Sequence, residues 1–196
     1  YQWNLNGAPI AAATSATFAA TSTGSYSLTV TDANGCSATS NTVSVTIREL
    51  PVATITGNSA ICQGGSTILS ANTGTGRTYQ WKRNNVNIIG ATTANYTAIT
   101  AGTYTVTVTS NGCSATSNAI TVTVNSLPTV SVSATGSTSF CPGGSVVLTA
   151  STDPANTLQW RKNGVNITGA TGISYTASDS GNYTVRVTSP AGCSVN

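Results

Sequence analysis

Apolar and polar residues alternate along most of the chain with a period of two. From Thr103 to Ser110, Tyr104, Val106 and Val108 fall on one side and Thr103, Thr105, Thr107 and Thr109 on the other. Such alternation marks a strand buried on one face. Ile120, Val122 and Val124 repeat it with an inward set, as do Val146, Leu148 and Ala150, and Leu158 with Trp160. Gly64-Gly65, Asn111-Gly112, Asn163-Gly164 and Asp179-Ser180-Gly181 separate these runs with residues suited to tight turns. The pattern predicts an all-β protein whose strands stack as two-sheet sandwiches, about seven short strands to each.

The pattern also recurs. Trp3, Trp81 and Trp160 are spaced by 78 and 79 residues, and so are Tyr26, Tyr104 and Tyr183. Cys36, Cys113 and Cys193 are spaced by 77 and 80, while Cys62 and Cys141 differ by 79. The string CSATSN stands unchanged at 36–41 and 113–118. Three copies of a module of about 78 residues are expected. Residues 1–49 form a first module without its opening strands, 50–127 a complete second, and 128–196 a third without its last strand. Leu50-Pro51 and Leu127-Pro128 mark the junctions, where proline interrupts strand pairing and stiffens the connection. The chain reads as a window on a longer array. No leader peptide precedes Tyr1, which itself resembles an internal position, so export is not decided by that end.

Composition narrows the class. The 196 residues include 37 Thr and 25 Ser, so β-branched and small polar residues outweigh helix formers. Only 7 basic and 4 acidic residues are present, with neither His nor Met, and Val, Ile and Tyr are abundant; disorder driven by charge does not fit. The net charge of +3 is spread thinly, with Lys82-Arg83 and Arg161-Lys162 as the only basic pairs, so no nucleic-acid partner is expected. No apolar run approaches the roughly 20 residues of a spanning helix, and direct membrane insertion is not expected.

With these features in place, the run GGSVVLTA, then LQWRKNG, then YTASDSGNYTV resembles an immunoglobulin-type domain, matching at Trp160, Asp179, Gly181 and Tyr183. The resemblance implies tandem immunoglobulin-like sandwiches with Trp3, Trp81 and Trp160 in the core and Tyr26, Tyr104 and Tyr183 at a corner. The sequence departs from that family where it would carry its inter-sheet cysteines: Ala71 and Val106, and Ala150 and Val185, stand there instead. The corner Asp is replaced by Thr100 and by Ser22 in the other modules. More narrowly, the style of ICQGGSTILSA and GTYTVTVTSNGCSATS resembles repeat modules of very large cell-surface adhesins of Bacteroidetes-type gliding or biofilm bacteria. That likeness implies export by the type IX route and an extracellular, cell-surface location.

Five cysteines are an odd number, and with no His and no Cys-x-x-Cys spacing they point to disulfides rather than metal. Two pairings are open. One stays within modules, joining Cys62 to Cys113 and Cys141 to Cys193 and leaving Cys36 over. The other joins Cys62 to Cys193 across a junction, leaving Cys36, Cys113 and Cys141 for neighbours. Sandwich topology favours the second. Cys62 lies nine residues before Ala71, at the pole where the module's chain leaves; Cys113 lies in the hairpin at the opposite pole, tens of ångströms away at about 3.3 Å per residue. A disulfide needs Cα atoms within about 7 Å.

Reactive groups are scarce. Asp32, Glu49, Asp153 and Asp179 are the only acids, and the complete module contains none. Paired carboxylates for glycoside hydrolysis, a histidine base for a nucleophile, and the clustered oxygen ligands of a calcium junction are all missing. No catalytic residue, metal site or cofactor is expected. Eleven of the twelve aromatics fall at repeat positions of the core or corner, leaving Phe140, aligned with Ile61, and no platform for sugar stacking. The expected role is therefore a non-catalytic stalk or filament segment of a secreted adhesin. Its partners would be neighbouring repeats, other copies in a filament, and an unidentified surface or glycan ligand. The competing expectation is a polysaccharide- or cell-surface-binding module, including accessory repeats of a secreted enzyme, using the loops at Asn84–Asn87 and Asn163–Asn166.

Overall fold

The computed structural model describes residues 1–196. It contains only strands and turns, and no helix long and apolar enough to cross a membrane. The chain divides into two compact units, residues 1–51 with 109–114, and residues 52–108 with 115–196.

The first unit holds one sheet. Its strands are β1 (Gln2–Leu5), β2 (Ala8–Pro9), β3 (Gly24–Thr31), β4 (Ser37–Thr39) and β5 (Val43–Val45). They run in the order β2-β1-β3-β4, with β5 also on β3. Asn6 and Gly7 close the β1–β2 hairpin with φ of 52° and 83°, the left-handed pair that a two-residue hairpin requires. Tyr26 on β3 is buried, whereas Trp3 on β1 is half-buried.

The second unit contains two separate hydrophobic cores. The first is enclosed by β6 (Ile55–Thr56), β7 (Ala60–Cys62), β8 (Thr67–Ala71), β9 (Arg77–Arg83), β10 (Val86–Asn87), β11 (Asn95–Ala98), β12 (Gly102–Ser110), β13 (Cys113–Thr116) and β14 (Ile120–Asn125). One sheet has the order β11-β8-β6 and the other β10-β9-β12-β14-β7, with β13 also on β12. Between them Leu69, Ala71 and Ala98 meet Trp81, Tyr104, Val106, Val108 and Val122. Every second residue of β12 from Tyr104 to Val108 is buried, the physical outcome of alternating side chains over a one-sided core.

β14 departs from the expected alternation at one position. Val122 is buried, but Val124 is 38% exposed rather than inward. The strand pairs antiparallel with β12 only from Ile120 to Val122, then passes to β7, pairing in parallel from Thr123 to Asn125. Val124 therefore lies past Val122, the last buried residue of its own strand, where the ladder has passed to β7.

The other core lies among β15 (Ser131–Thr135), β16 (Val146–Ser151), β17 (Thr157–Lys162), β18 (Val165–Asn166), β19 (Ser174–Ala177), β20 (Tyr183–Thr188) and β21 (Ser194–Val195). Its sheets have the orders β15-β16-β19 and β18-β17-β20-β21. Val146, Leu148, Ala150 and Ala177 face Trp160, Val185 and Val187. Ala71 and Val106, like Ala150 and Val185, are buried side chains of these cores, so apolar packing occupies the places of a cross-sheet disulfide. Trp81 and Trp160 are wholly buried, and truncating such a side chain costs about 3–5 kcal/mol.

Candidate functional site

The chemistry that distinguishes this chain from a plain sandwich is a covalent link between the sandwiches of its two cores in the second unit. Cys62 ends β7, and its ladder partner is Asn125, the last residue of β14. The Gln63 amide donates to the Asn125 carbonyl at 2.8 Å, and the Gly65 amide to the Cys62 carbonyl at 2.8 Å. The turn after Cys62 is thus pinned to the place where the chain leaves for Leu127-Pro128. Cys193 sits in the β20–β21 hairpin, held by Ser189: the Ser189 amide donates to the Cys193 carbonyl at 2.8 Å, and the Cys193 amide to Ser189 Oγ at 3.2 Å.

Cys62 and Cys193 are joined by a disulfide with a Cα–Cα distance of 5.5 Å, across 131 residues of chain. Cys193 is wholly buried, and its sulfur lies 4.0 Å from the Asn125 carbonyl. The bond therefore ties the end of β7, beside one sandwich's exit strand β14, to the other's hairpin. The alternative pairing of Cys62 with Cys113 and Cys141 with Cys193 is not formed; Cys36, Cys113 and Cys141 are free thiols. The reason lies in β12. Cys62 lies beside the strand that pairs with its start, whereas Cys113 opens β13 just past its other end, beyond the nine residues of β12.

A related geometry exists in the first unit. Cys113 Sγ lies 3.8 Å from the Arg48 carbonyl, and the Arg48 guanidinium donates to the Asn111 carbonyl. Arg48 and Asn125 hold equivalent places in the repeat, since β5 pairs with β3 as β14 pairs with β12. Cys113 thus faces a carbonyl of the same kind as Cys193 does.

The aromatic residues form three similar columns. Trp81 packs on Tyr96 at 5.8 Å between centroids, and Tyr96 on Tyr104 at 5.7 Å. Trp160, Tyr175 and Tyr183 repeat this at 6.0 and 5.7 Å, and Trp3, Phe18 and Tyr26 at 5.8 and 5.9 Å. Each indole N–H donates to a carbonyl twelve residues on, that of Ser15, Thr93 or Gly172. Each corner Tyr donates its hydroxyl four residues back, to the carbonyl of Ser22, Thr100 or Asp179. Where Asp is replaced, the Thr100 and Ser22 hydroxyls also contact the Tyr hydroxyl, at 3.1 and 2.9 Å. The rings most open to solvent are Tyr1 and Phe140.

The residue before each Trp escaped the sequence reading. Gln2, Gln80 and Gln159 each donate an amide N–H to the carbonyl of the following Trp and to that of Ile10, Ile88 or Ile167. This fastens β1, β9 and β17 to the loop that follows. The signal available was the Gln-Trp pair recurring at all three repeat positions.

Three of the four acids have structural partners. Asp32 Oδ1 accepts from the amides of Asn34 and Cys36, and Asp153 Oδ1 from that of Ala155. Asp179 pairs with Lys162 at 3.2 Å, and this hydrogen bond raises the lysine above its ordinary pKa. No group of three or more metal-binding side chains converges anywhere.

The strand orders, the buried Trp on the second sheet and the tyrosine corner define tandem immunoglobulin-like β-sandwiches, here joined by a disulfide. Residues 52–126 match a family model described as a domain of unknown function (DUF8696). No curated protein sequence matches the chain. Among solved structures, an I-band fragment from titin is similar at 11% identity, covering 98% of this chain and 85% of that one, with a TM-score of 0.47. Fibronectin(III)-like modules of Clostridium thermocellum CbhA are similar at 16% identity, covering 74% and 86%, with a TM-score of 0.41. The immunoglobulin domains 1–5 of Sidekick-1 are similar at 18% identity, covering 99% and 51%, with a TM-score of 0.36.

Proposed function

We propose that this chain is a non-catalytic stalk segment of a large secreted cell-surface adhesin, of the kind borne by Bacteroidetes-type gliding or biofilm bacteria and exported by their type IX route. Its working units are repeats at 1–49, 50–127 and 128–196, and its immediate partners are neighbouring repeats. The observation that carries this reading is the Cys62–Cys193 bond across Leu127-Pro128. Tandem domains on short linkers hinge by default; a crosslink beside the linker removes that freedom and lets a row of small sandwiches span distance under load. A disulfide also suits an oxidising, extracellular setting. Cys36, Cys113 and Cys141 stand at the same two positions of the repeat and would supply further staples to neighbouring modules.

The test is to label intact cells with antibody against this chain and to screen the purified chain on a glycan array. Labelled surface filaments with no glycan binding fit the stalk; an intracellular signal overturns it. The second reading, a polysaccharide-binding module, draws on a cleft of about 550 Å³ lined by Arg83, Asn84, Val86, Asn87, Ile88, Ile89 and Tyr96, where Ile89 is 99% exposed. Glycan binding that is lost in Ile89→Ser would favour it.

A further inference from the structure

Charge is distributed unevenly over the chain. Residues 50–127 carry Arg77, Lys82 and Arg83 and no acid, while the other four basic residues are matched by the four acids, so the whole net charge of +3 resides there. At one repeat position the contrast is direct. Lys162 is paired with Asp179 at 3.2 Å. The equivalents of those two residues are Arg83 and Thr100. The Arg83 guanidinium donates to the Thr100 hydroxyl, a neutral partner, and forms no ion pair. Its stem lies over Gly102, where an added Cβ would stand 2.8 Å from Arg83 Cγ, so the absence of a side chain there gives the stem its berth.

Arg83 lines the cleft of about 550 Å³ together with Asn87, Tyr96, Val86 and Ile89. The Tyr96 ring is fixed between Trp81 and Tyr104, yet no protein group bonds its hydroxyl, and the Asn87 side-chain amide has no partner either. Val86 and Ile89 are both largely exposed. At the place of Ile89 the other repeats have Thr168 and Ala11, and at the place of Arg83 they have the neutralised Lys162 and the apolar Leu5. An unneutralised cation, free polar groups and exposed aliphatic side chains thus meet in one cleft at one repeat only.

We propose that this cleft binds a carboxylate-bearing sugar of an acidic polysaccharide. Arg83 would take the carboxylate, since a guanidinium has five N–H donors and can hold Thr100 and a carboxylate together. Asn87 and Tyr96 would meet ring hydroxyls, and Val86 and Ile89 would cover the C–H face. The grip is by charge rather than by aromatic stacking. An acidic peptide fits less well: β10 offers an edge of two residues, after which the Ile88 amide turns back to the Trp81 carbonyl at 2.9 Å, too short a ladder for an added strand. The ligand class rests on the glycan-binding reading of this cleft. It does not displace the stalk role, because the Cys62–Cys193 bond lies outside the cleft.

The experiment titrates the full chain by calorimetry with short oligomers of polygalacturonate, alginate and hyaluronate, each beside its carboxyl-reduced form. Thermal midpoints establish that every variant folds. The expected result is binding to at least one acidic oligomer, weakened roughly tenfold or more both by carboxyl reduction and by Arg83→Gln. Lys82→Gln, which removes the same charge outside the cleft, should leave binding nearly unchanged. Thr100→Asp gives Arg83 the partner that Lys162 has, and should abolish binding with the sandwich intact, as the Tyr183 corner is already built on Asp179. Binding that survives carboxyl reduction or Arg83→Gln overturns the carboxylate site and leaves glycan binding standing. No binding to any acidic or neutral oligomer overturns both. Poly-glutamate bound as tightly as the uronate oligomers overturns the assignment to a sugar.

Discussion

Cys62 and Cys193 are separated by 131 residues in sequence, yet their Cα atoms stand 5.5 Å apart, beside the residue at which one sandwich ends. The loop so closed contains most of two cores. For a loop of that length, chain entropy gives a stabilisation of about 5 kcal/mol relative to the fully unfolded, uncrosslinked chain. Replacing both residues, Cys62→Ser with Cys193→Ala, is expected to lower the thermal midpoint while leaving each sandwich folded. Scanning calorimetry with and without reductant checks this: reductant should shift the parent chain and leave the double variant unchanged.

The Tyr104 hydroxyl is buried and bonds the Thr100 carbonyl at 2.9 Å. Tyr104→Phe is expected to cost about 1–2 kcal/mol, one buried hydrogen bond and the carbonyl it leaves unpaired. Tyr183→Phe should cost less, since water reaches the Asp179 carbonyl there. Urea unfolding of the two variants measures the difference.

Gln80 satisfies the carbonyls of Trp81 and Ile88 together, at 2.9 Å each. Gln80→Leu keeps the volume and removes two hydrogen bonds, leaving each carbonyl only its backbone donor, the Ile88 or Ala91 amide, so a loss of about 1–3 kcal/mol is expected. Gln80→Glu should be worse, because a carboxylate would face two carbonyl oxygens with no proton to offer. Denaturant midpoints for the two variants should fall in that order.

No histidine is present, so no side chain that ordinarily titrates near pH 6.5 can couple folding to pH. The Lys162–Asp179 bond raises the lysine pKa, which places its contribution to stability fully below the ordinary lysine value and removes it as pH climbs through the raised one. The thermal midpoint should therefore be flat from pH 5 to 7.5, with any loss tied to Lys162 confined to strongly alkaline solution. Midpoints of the parent and Lys162→Met across both ranges check the sign.

Alternation was enough to turn Tyr104, Val106 and Val108 inward, because a one-sided strand leaves each side chain only two choices. It failed at Val124, where the ladder changes partner, an event no period records. The repeat spacing and elementary sandwich geometry also led toward the Cys62–Cys193 bond, since poles can be counted along strands. The Gln80 clamp was not legible, because an amide on a strand resembles any other polar position until the loop it grips is known.

The most direct test of a stapled row of sandwiches is backbone ¹⁵N relaxation, read separately for residues 55–122 and 146–187. With the bond intact, both sets should report one shared rotational correlation time, and in Cys193→Ala two shorter, unequal ones. Independent tumbling of the two sets in the fully oxidised protein would contradict it.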